Sequence, residues 1–161
     1  MNAPGAAPPA VEIRICDPGD PTARYCVAEY FKELDERFEG GFEPARSIPA
    51  TDDEMRPPSG LFVVALRGGE AVGCAGLKFH GSEPAEMKRL WVARSARGNG
   101  LGRRLVSEVE SLAIHNGVST LRLDTNRSLR EAIAMYRASG YREAEAFNDE
   151  VYADHWFEKD L

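Results

Sequence analysis

The sequence predicts a single mixed α/β domain whose central sheet has six to seven strands flanked by helices. Some segments alternate apolar and polar residues, as half-buried strands do, whereas others repeat apolar residues at helical spacing. In the second half of the chain, a strand, a glycine-rich turn, a helix and another strand follow one another. This order implies a right-handed crossover between two parallel strands. Because ligands bind at the carboxyl ends of such strands, the glycine-rich turn is the first candidate for a functional site.

The N-terminal part of the chain predicts a tail, a strand and a helix. Residues 1–10 are small and rich in proline, so we expect a disordered tail before a single domain that spans residues 11–161. The segment VEIRI at 11–15 alternates as a strand does, and a break with proline and glycine follows it. Apolar side chains then recur at helical spacing over 21–38, which predicts an amphipathic helix that two glycines end.

The middle of the chain predicts a loop and three strands. Residues 41–60 contain four prolines and no sustained period, which indicates a long loop with one short turn. The turn RGGE joins two apolar runs, 61–66 and 71–79, and this arrangement predicts a hairpin. Residues 85–92 predict a further strand.

The C-terminal part predicts two helices, each followed by strand segments. An apolar stripe at helical spacing begins at Leu101 and stops at Gly117, and residues 119–125 then alternate as a strand. The remaining predicted elements are a helix over 128–140 that Gly140 closes and two strands around 141–147 and 151–159.

Composition and charge exclude several classes of protein. An apolar fraction of 43% and a charged fraction of 29% are those of a soluble globular domain. The formal net charge of −6 argues against a general nucleic-acid-binding protein, which carries a dominant basic face. The three cysteines are widely spaced, and no signal peptide or membrane-spanning segment is recognisable, so we expect a cytoplasmic protein that binds no membrane. The three histidines lack metal-ligand spacing, so we expect no metal.

Charge is distributed unevenly along the chain. Residues 88–104 hold six basic side chains and no acidic one, so a locally positive site lies within an acidic protein. Residues 29–54, the acidic stretch, hold nine acidic side chains against three basic ones. A run of charge is most often a solvated surface, which is the simpler interpretation of the acidic stretch. In the basic stretch, glycines favour an anion-binding site.

The basic stretch contains ARGNGLGRR, residues 96–104, in which three glycines fall within five positions. Glycines let backbone N–H groups approach a ligand closely, and a helix N-terminus adds a dipole that favours an anion. The dinucleotide-binding pattern would need glycine where Arg103 stands, and no stretch supplies a Walker phosphate loop. The pattern that remains, from Arg97 to Gly102, is R-x-x-G-x-G between a strand and a helix.

This loop resembles the acetyl-CoA pyrophosphate loop of the GNAT N-acetyltransferase superfamily, whose pattern is Gln or Arg, x, x, Gly, x, Gly or Ala. Glu86 lies eleven residues before Arg97, where the family often has a general base. The segment TNRSLREAIAMYRASGY is similar to a later motif of the family through Asn126, Ala132, Tyr136 and the pair Gly140 and Tyr141. The order of strands and helices from Val11 onward also matches, so the resemblance covers nearly the whole chain.

The resemblance implies the GNAT fold, with splayed, parallel fourth and fifth strands. It also implies acetyl-CoA as co-substrate and transfer of the acetyl group to an amine by direct attack through a tetrahedral intermediate. Glu86 would be the general base, and Tyr136 would donate a proton or hydrogen bond to the leaving sulfur. The thioester carbonyl would lie against the strand backbone at Trp91 and Val92. The other cofactor-binding residues that the resemblance implies are Arg97, Gly98, Asn99, Gly100, Leu101, Gly102, Arg103 and Asn126.

The three motif residues outside the loop also have simpler structural interpretations. Glu86 could be an ordinary strand carboxylate, and Tyr136 falls on an apolar helix stripe and could be a core residue. Asn126 could belong to the N-terminal cap of the following helix.

The sequence leaves the acceptor open. We expect a primary amine of a small molecule or amino-acid-like acceptor, with a protein or peptide amine as an alternative. The acidic stretch suits a cationic amine such as a polyamine, whereas Arg14, Lys78 and Arg89 could clamp a carboxylate. A homodimer is also left open.

Two other classes of protein remain as alternatives. A non-catalytic acyl-CoA-binding module would keep the glycine-rich loop but release no thiol with any amine. A hydrolase with Cys74 as nucleophile would be inactivated by alkylation, although no nucleophile signature in the sequence supports it.

Overall fold

The structure, a computed structural model, describes residues 9–161, so most of the predicted tail lies outside the described residues. Its strands are β1 (Val11–Ile15), β2 (Gly60–Arg67), β3 (Glu70–His80), β4 (Glu83–Val92), β5 (Thr120–Thr125), β6 (Arg142–Glu143) and β7 (His155–Asp160). Its α-helices are α1 (Pro21–Arg37), α2 (Leu101–His115) and α3 (Arg130–Ala138).

One seven-stranded sheet, in the order β1-β2-β3-β4-β5-β7-β6, organises the described chain. Neighbouring strands are antiparallel except β4 and β5, which are parallel and connected through α2. These two strands pair only at Ala85 with Leu121 and Glu86 with Arg122, and over residues 87–92 β4 has no ladder partner on that side. The predicted fold class, with parallel fourth and fifth strands, is confirmed.

A β-bulge in β4 accompanies this parting of the strands. Trp91 pairs with Cys74, but the next pair along is Lys88 with Gly76, so β4 carries one extra residue. Arg89 lies at the irregularity with a φ of 55°, a left-handed conformation that residues other than glycine seldom adopt. The bulge therefore bends β4 beside the gap.

The hydrophobic core lies on both faces of the sheet, because alternate residues of β2 point in opposite directions. Val63 and Ala65 join a cluster that includes Leu105 and Val109 of α2. Phe62 and Val64 join a second cluster that includes Ala23 and Cys26 of α1. The sheet is thus a rigid layer between helices, and it holds the ends of β4 and β5 in place.

Most predicted elements are present with shifted ends, but the predicted C-terminal strands are too long. β6 has only two residues, and β7 begins at His155. A local side-chain bond competes with strand pairing between them, because Asn148 Oδ1 accepts from the Glu150 N–H at 3.3 Å. The same segment is tied to the turn before α3, where Asp154 Oδ1 accepts from the Arg127 N–H at 2.8 Å. The predicted loop over 41–60 contains two short 3₁₀ helices, Pro44–Arg46 and Asp53–Met55, where one turn was expected.

Candidate active site

Two adjoining spaces open where β4 and β5 part. The larger cavity, lined by residues of α1, β4, β5, α3 and the loop after α1, has a volume of about 420 Å³. The loop groove, lined by the glycine-rich loop and the end of β4, has a volume of about 360 Å³. Five side chains line both spaces: Tyr30, Leu34, Leu90, Leu129 and Ala132. The two spaces therefore share a wall, so ligands bound in them would lie next to each other.

The glycine-rich loop requires glycine for its backbone conformation. Gly98 and Gly100 have φ values of 85° and 77°, although a Cβ at either position would meet no heavy atom within 4 Å. Gly100 is the N-cap of α2, and no side chain of residues 9–161 caps this helix end. The first N–H groups of α2 therefore lack a capping side chain, and together with the helix dipole they favour a bound anion.

The structure brings most predicted cofactor-binding residues to the loop groove. Those that line it are Trp91, Val92, Arg97, Gly98, Gly100, Leu101, Gly102 and Arg103. Asn99 is exposed and is not among the lining residues.

The Arg97 side chain bonds to other groups of the protein. Its Nε donates to the Val92 carbonyl at 3.1 Å, and its guanidinium forms an ion pair with Glu33 of α1. These contacts tie the loop to β4 and α1. An anionic ligand at this loop would be contacted mainly by the loop backbone and by the exposed side chain of Arg103.

Asn126 lines the larger cavity instead of the loop groove. Its Nδ2 donates to the Tyr152 carbonyl at 2.8 Å, and its Oδ1 accepts from the Ser128 N–H at 2.8 Å. Asn126 thus closes the turn before α3 through Oδ1 and bonds to the segment at Tyr152 through Nδ2, whereas the N-cap position of α3 is Leu129. A contact between Asn126 and the cofactor stays a prediction.

Tyr136 combines a packed ring with a place on the larger cavity. The side chain is buried, and its ring lies 5.8 Å from that of Tyr141 and 6.2 Å from that of Phe157. Within residues 9–161, its hydroxyl makes no hydrogen bond, and Tyr136 lines the larger cavity. Burial raises the pKa of Tyr136, so the hydroxyl stays protonated at neutral pH. It is therefore suited to donate a hydrogen bond to a ligand.

Glu86 lies among the side chains of His80, Lys88 and Arg122 and lines neither space. Its carboxylate is 2.7 Å from His80 Nε2, 3.1 Å from Lys88 Nζ and 3.8 Å from Arg122 Nη2. Burial alone would raise the pKa of Glu86, but these neighbours together lower it. A lowered pKa weakens a base, so these surroundings do not support the predicted base role, which stays a prediction.

Asp124 is a site residue that the sequence analysis missed. It lies near the carboxyl end of β5, lines the larger cavity, and accepts a hydrogen bond from Asn148 Nδ2 at 2.8 Å. Burial raises the pKa of Asp124, although Lys88 and Asn148 act in the opposite direction. The available signal was its position at the end of the second parallel strand, where ligands bind.

The expectation of an acidic acceptor wall is not supported, because no acidic residue of the acidic stretch lines the larger cavity. Several of its acids form ion pairs elsewhere, among them Asp52 with Arg24, Asp53 with Arg56 and Glu54 with Lys78. Of the three proposed carboxylate clamps, Arg89 lines the cavity, whereas Arg14 and Lys78 do not.

Cys74 lacks the surroundings of a nucleophile. It is fully buried, its thiol donates to the Arg89 carbonyl at 3.2 Å, and burial raises its pKa well above the ordinary value. A reactive cysteine needs a thiolate and access to solvent, so this site disfavours a cysteine hydrolase.

Neither a membrane-spanning helix nor a metal-binding cluster is present in residues 9–161. No helix there is both long and apolar enough to cross a membrane. No group of three or more His, Cys, Asp or Glu side chains in the same residues is arranged to hold a metal ion.

Comparison with known proteins gives a consistent result. The model of the acetyltransferase (GNAT) family matches residues 27–141. The IAA acetyltransferase of Azospirillum brasilense is 35% identical over 123 residues, which cover 75% of this chain and 80% of that protein. The N-alpha-acetyltransferase RimI of Mycobacterium tuberculosis is 33% identical over 96 residues, which cover 58% of this chain and 59% of that protein.

The fold has a similar counterpart among solved structures. The PaiA N-acetyltransferase of Thermoplasma acidophilum, in complex with coenzyme A, matches with a TM-score of 0.72 at 18% identity. The match covers 94% of this chain and 99% of that chain.

Proposed function

Because the chain belongs to the acetyltransferase (GNAT) family, we propose that it transfers an acetyl group from acetyl-CoA to the primary amine of a small molecule. The observation that carries this proposal is the shared wall between the loop groove and the larger cavity. The groove has a loop whose backbone and helix N-terminus are suited to an anion, and the cavity has ionisable side chains suited to an amine. The two reactants would therefore meet across Leu90 and Ala132.

Acetyl-CoA would occupy the loop groove. Backbone N–H groups from Gly98 to Arg103 would hold the pyrophosphate at the N-terminus of α2, assisted by the helix dipole. The pantetheine arm would run along residues 87–92 of β4, which lack a ladder partner on the β5 side. An extended ligand can pair with such an edge as an added strand does. A free N–H at Trp91 or Val92 would then face the thioester carbonyl.

The transfer requires two proton movements. The acceptor arrives as an ammonium, gives up one proton, and its neutral nitrogen forms a bond to the acetyl carbon. The carbon–sulfur bond of the thioester breaks, the nitrogen loses a second proton, and the sulfur leaves as a thiol. The Tyr136 hydroxyl would donate a hydrogen bond to the sulfur as negative charge develops there. Its raised pKa favours hydrogen-bond donation over complete proton transfer.

A thiol-release assay tests this function. We expect free CoA thiol to accumulate when the protein is given acetyl-CoA and a panel of primary amines, and to stay at background without an amine. A non-catalytic binding module would release no thiol with any amine. A cysteine hydrolase would release thiol without an amine and lose activity on alkylation.

Glu86→Gln separates the two interpretations of Glu86. We expect this variant to lower the free energy of unfolding by about 1–3 kcal/mol at neutral pH, because Lys88 and Arg122 lose a buried partner. Since the folded-state pKa is lowered, ionised Glu86 stabilises the fold above its unfolded-state pKa of about 4.3, and this contribution is lost as pH falls through the folded-state pKa. Urea unfolding at neutral and acidic pH measures the difference, which should shrink in acid.

A pH–rate profile of the same variant tests the base role. If Glu86 is the base, activity falls at neutral pH and partly returns at high pH, where more of the acceptor is already neutral. An equal loss at every pH would assign Glu86 to the structure of the site.

A further inference from the structure

The charged side chains that line the larger cavity are balanced in sign. They are Lys88, Arg89, Asp124 and Glu150. Lys88 Nζ forms an ion pair with Glu86 Oε2 at 3.1 Å, which compensates its charge, and lies farther from Asp124 Oδ2, at 3.9 Å. Glu150 accepts hydrogen bonds from the Ser47 hydroxyl and from the Ile48 N–H at 3.1 Å, which hold the loop after α1. Arg89 and Asp124 remain as charges available to a ligand.

Arg89 is a partly buried cation without an acidic partner in the part of the chain that the structure describes. Its Nη2 donates to the Ala50 carbonyl at 2.9 Å, and its guanidinium lies 5.1 Å from the centre of the Phe31 ring. Burial lowers the pKa of Arg89, because its charge has lost solvent. Its left-handed backbone is the kind of strain that recurs at ligand sites. A carboxylate would offset this charge and match the planar guanidinium.

Asp124 is held in place by Asn148, which Trp156 orients. The Trp156 Nε1–H donates to Asn148 Oδ1 at 2.9 Å, and an indole N–H can only donate. The Asn148 amide is therefore oriented with Nδ2 toward Asp124 Oδ2. Asp124 Oδ1 accepts no hydrogen bond from the rest of residues 9–161, so it is available to an ammonium group.

Six aromatic rings contribute to the wall of the larger cavity. They belong to Tyr30, Phe31, Phe38, Phe42, Tyr136 and Tyr152. Phe42 lies 4.8 Å from Tyr152 and 5.4 Å from Phe31 between ring centres, which makes a continuous apolar surface. Such a wall favours an apolar group on the acceptor and disfavours a chain with several charges.

We infer that the acceptor is an α-amino acid with an aromatic or large apolar side chain, whose carboxylate binds Arg89 and whose ammonium binds Asp124. This inference rests on the proposed function. Both charged groups of the acceptor then meet an opposite charge, and its side chain contacts the aromatic wall. A polyamine would place additional ammonium groups beside Lys88 and Arg89, which repel them.

Matched acceptors test the carboxylate subsite. We expect the wild-type enzyme to use L-phenylalanine, L-leucine or L-tryptophan with a kcat/KM at least about tenfold above that for the matching carboxamide, because charge-assisted hydrogen bonds are lost. In Arg89→Gln this preference should fall to within about threefold, mainly through a higher KM for the amino acid. Arg14→Gln is the control, because it removes the same charge from an exposed position outside the cavity.

Asp124→Asn tests the ammonium subsite. Because every acceptor in the panel carries an ammonium, we expect kcat/KM to fall by about ten- to hundredfold for amino acids and carboxamides alike. The preference of the wild-type enzyme for the free carboxylate should persist in this variant. Circular dichroism of each variant checks that it is folded.

Three results would overturn the inference. They are equal or better use of the carboxamides, preferred use of spermidine, and retention of the carboxylate preference in Arg89→Gln. Each of these results still includes thiol release, so the proposed function would survive. Failure of the proposed function is distinct, because no amine of any class would then release thiol.

Discussion

Tyr136→Phe should lower kcat by about 10²- to 10⁴-fold while the affinity for acetyl-CoA stays within about threefold of wild type. The substitution removes one oxygen that makes no hydrogen bond within residues 9–161, and it leaves the ring packed against Tyr141 and Phe157. Stability should therefore change little. The effect would arise in the chemical step, where the hydroxyl assists the departing sulfur. Steady-state kinetics and titration calorimetry measure the two quantities.

Tyr141→Phe is a matched control for this prediction. Tyr141 is a neighbouring buried tyrosine, but its hydroxyl donates to Glu110 at 2.9 Å, and it lines neither space. Its substitution should affect stability and leave kcat within about threefold of wild type. If Tyr136→Phe also keeps kcat within about threefold of wild type, Tyr136 is a core residue and does not assist the leaving group.

Gly100→Asp should weaken acetyl-CoA binding by at least about a hundredfold, because a carboxylate beside the pyrophosphate places like charges together. Gly100→Asn is the matched variant, since it has the same size without the charge. Both residues tolerate the φ of 77° better than other side chains do, and a Cβ there meets no atom within 4 Å. Gly100→Asn should therefore weaken acetyl-CoA binding by at most about tenfold. The difference in affinity between the two variants then measures the effect of the charge.

Titration calorimetry at two salt concentrations checks this second prediction. The difference between Asp and Asn should narrow at high salt, since ions screen charges near the surface. Equal affinities of the two folded variants would place the pyrophosphate away from this loop.

The glycine-rich loop and the parallel pair of strands could be predicted because their signals are local. Gly98 and Gly100 are spaced for a particular backbone turn, and the alternation at 119–125 identifies β5 directly. The aromatic lining of the larger cavity was not foreseen, because α1 and the following loop contribute it only after they pack against the sheet.

The charges of the site depend on contacts between distant segments. The Glu86 carboxylate contacts His80 of β3 and Arg122 of β5, so its surroundings depend on strand register. Arg89 lies at a β-bulge, and no local sequence pattern predicts this bulge. The position of the Asp124 carboxylate depends on Asn148 and Trp156, which lie beyond the next helix in the sequence. Spacing within the sequence can identify such residues as candidates, but it does not show which side chains contact them.

The fate of the acetyl group is the most direct test of acetyl transfer to an amine. When the wild-type enzyme receives acetyl-CoA with an isotopically labelled acetyl group and the best acceptor of the amine panel, mass spectrometry should find the label on the acceptor nitrogen. The amount of labelled amide should equal the amount of thiol released, and neither should form without the acceptor. Thiol release that yields free acetate in place of the amide, or no release with any amine, would contradict an acetyl transfer between the two spaces.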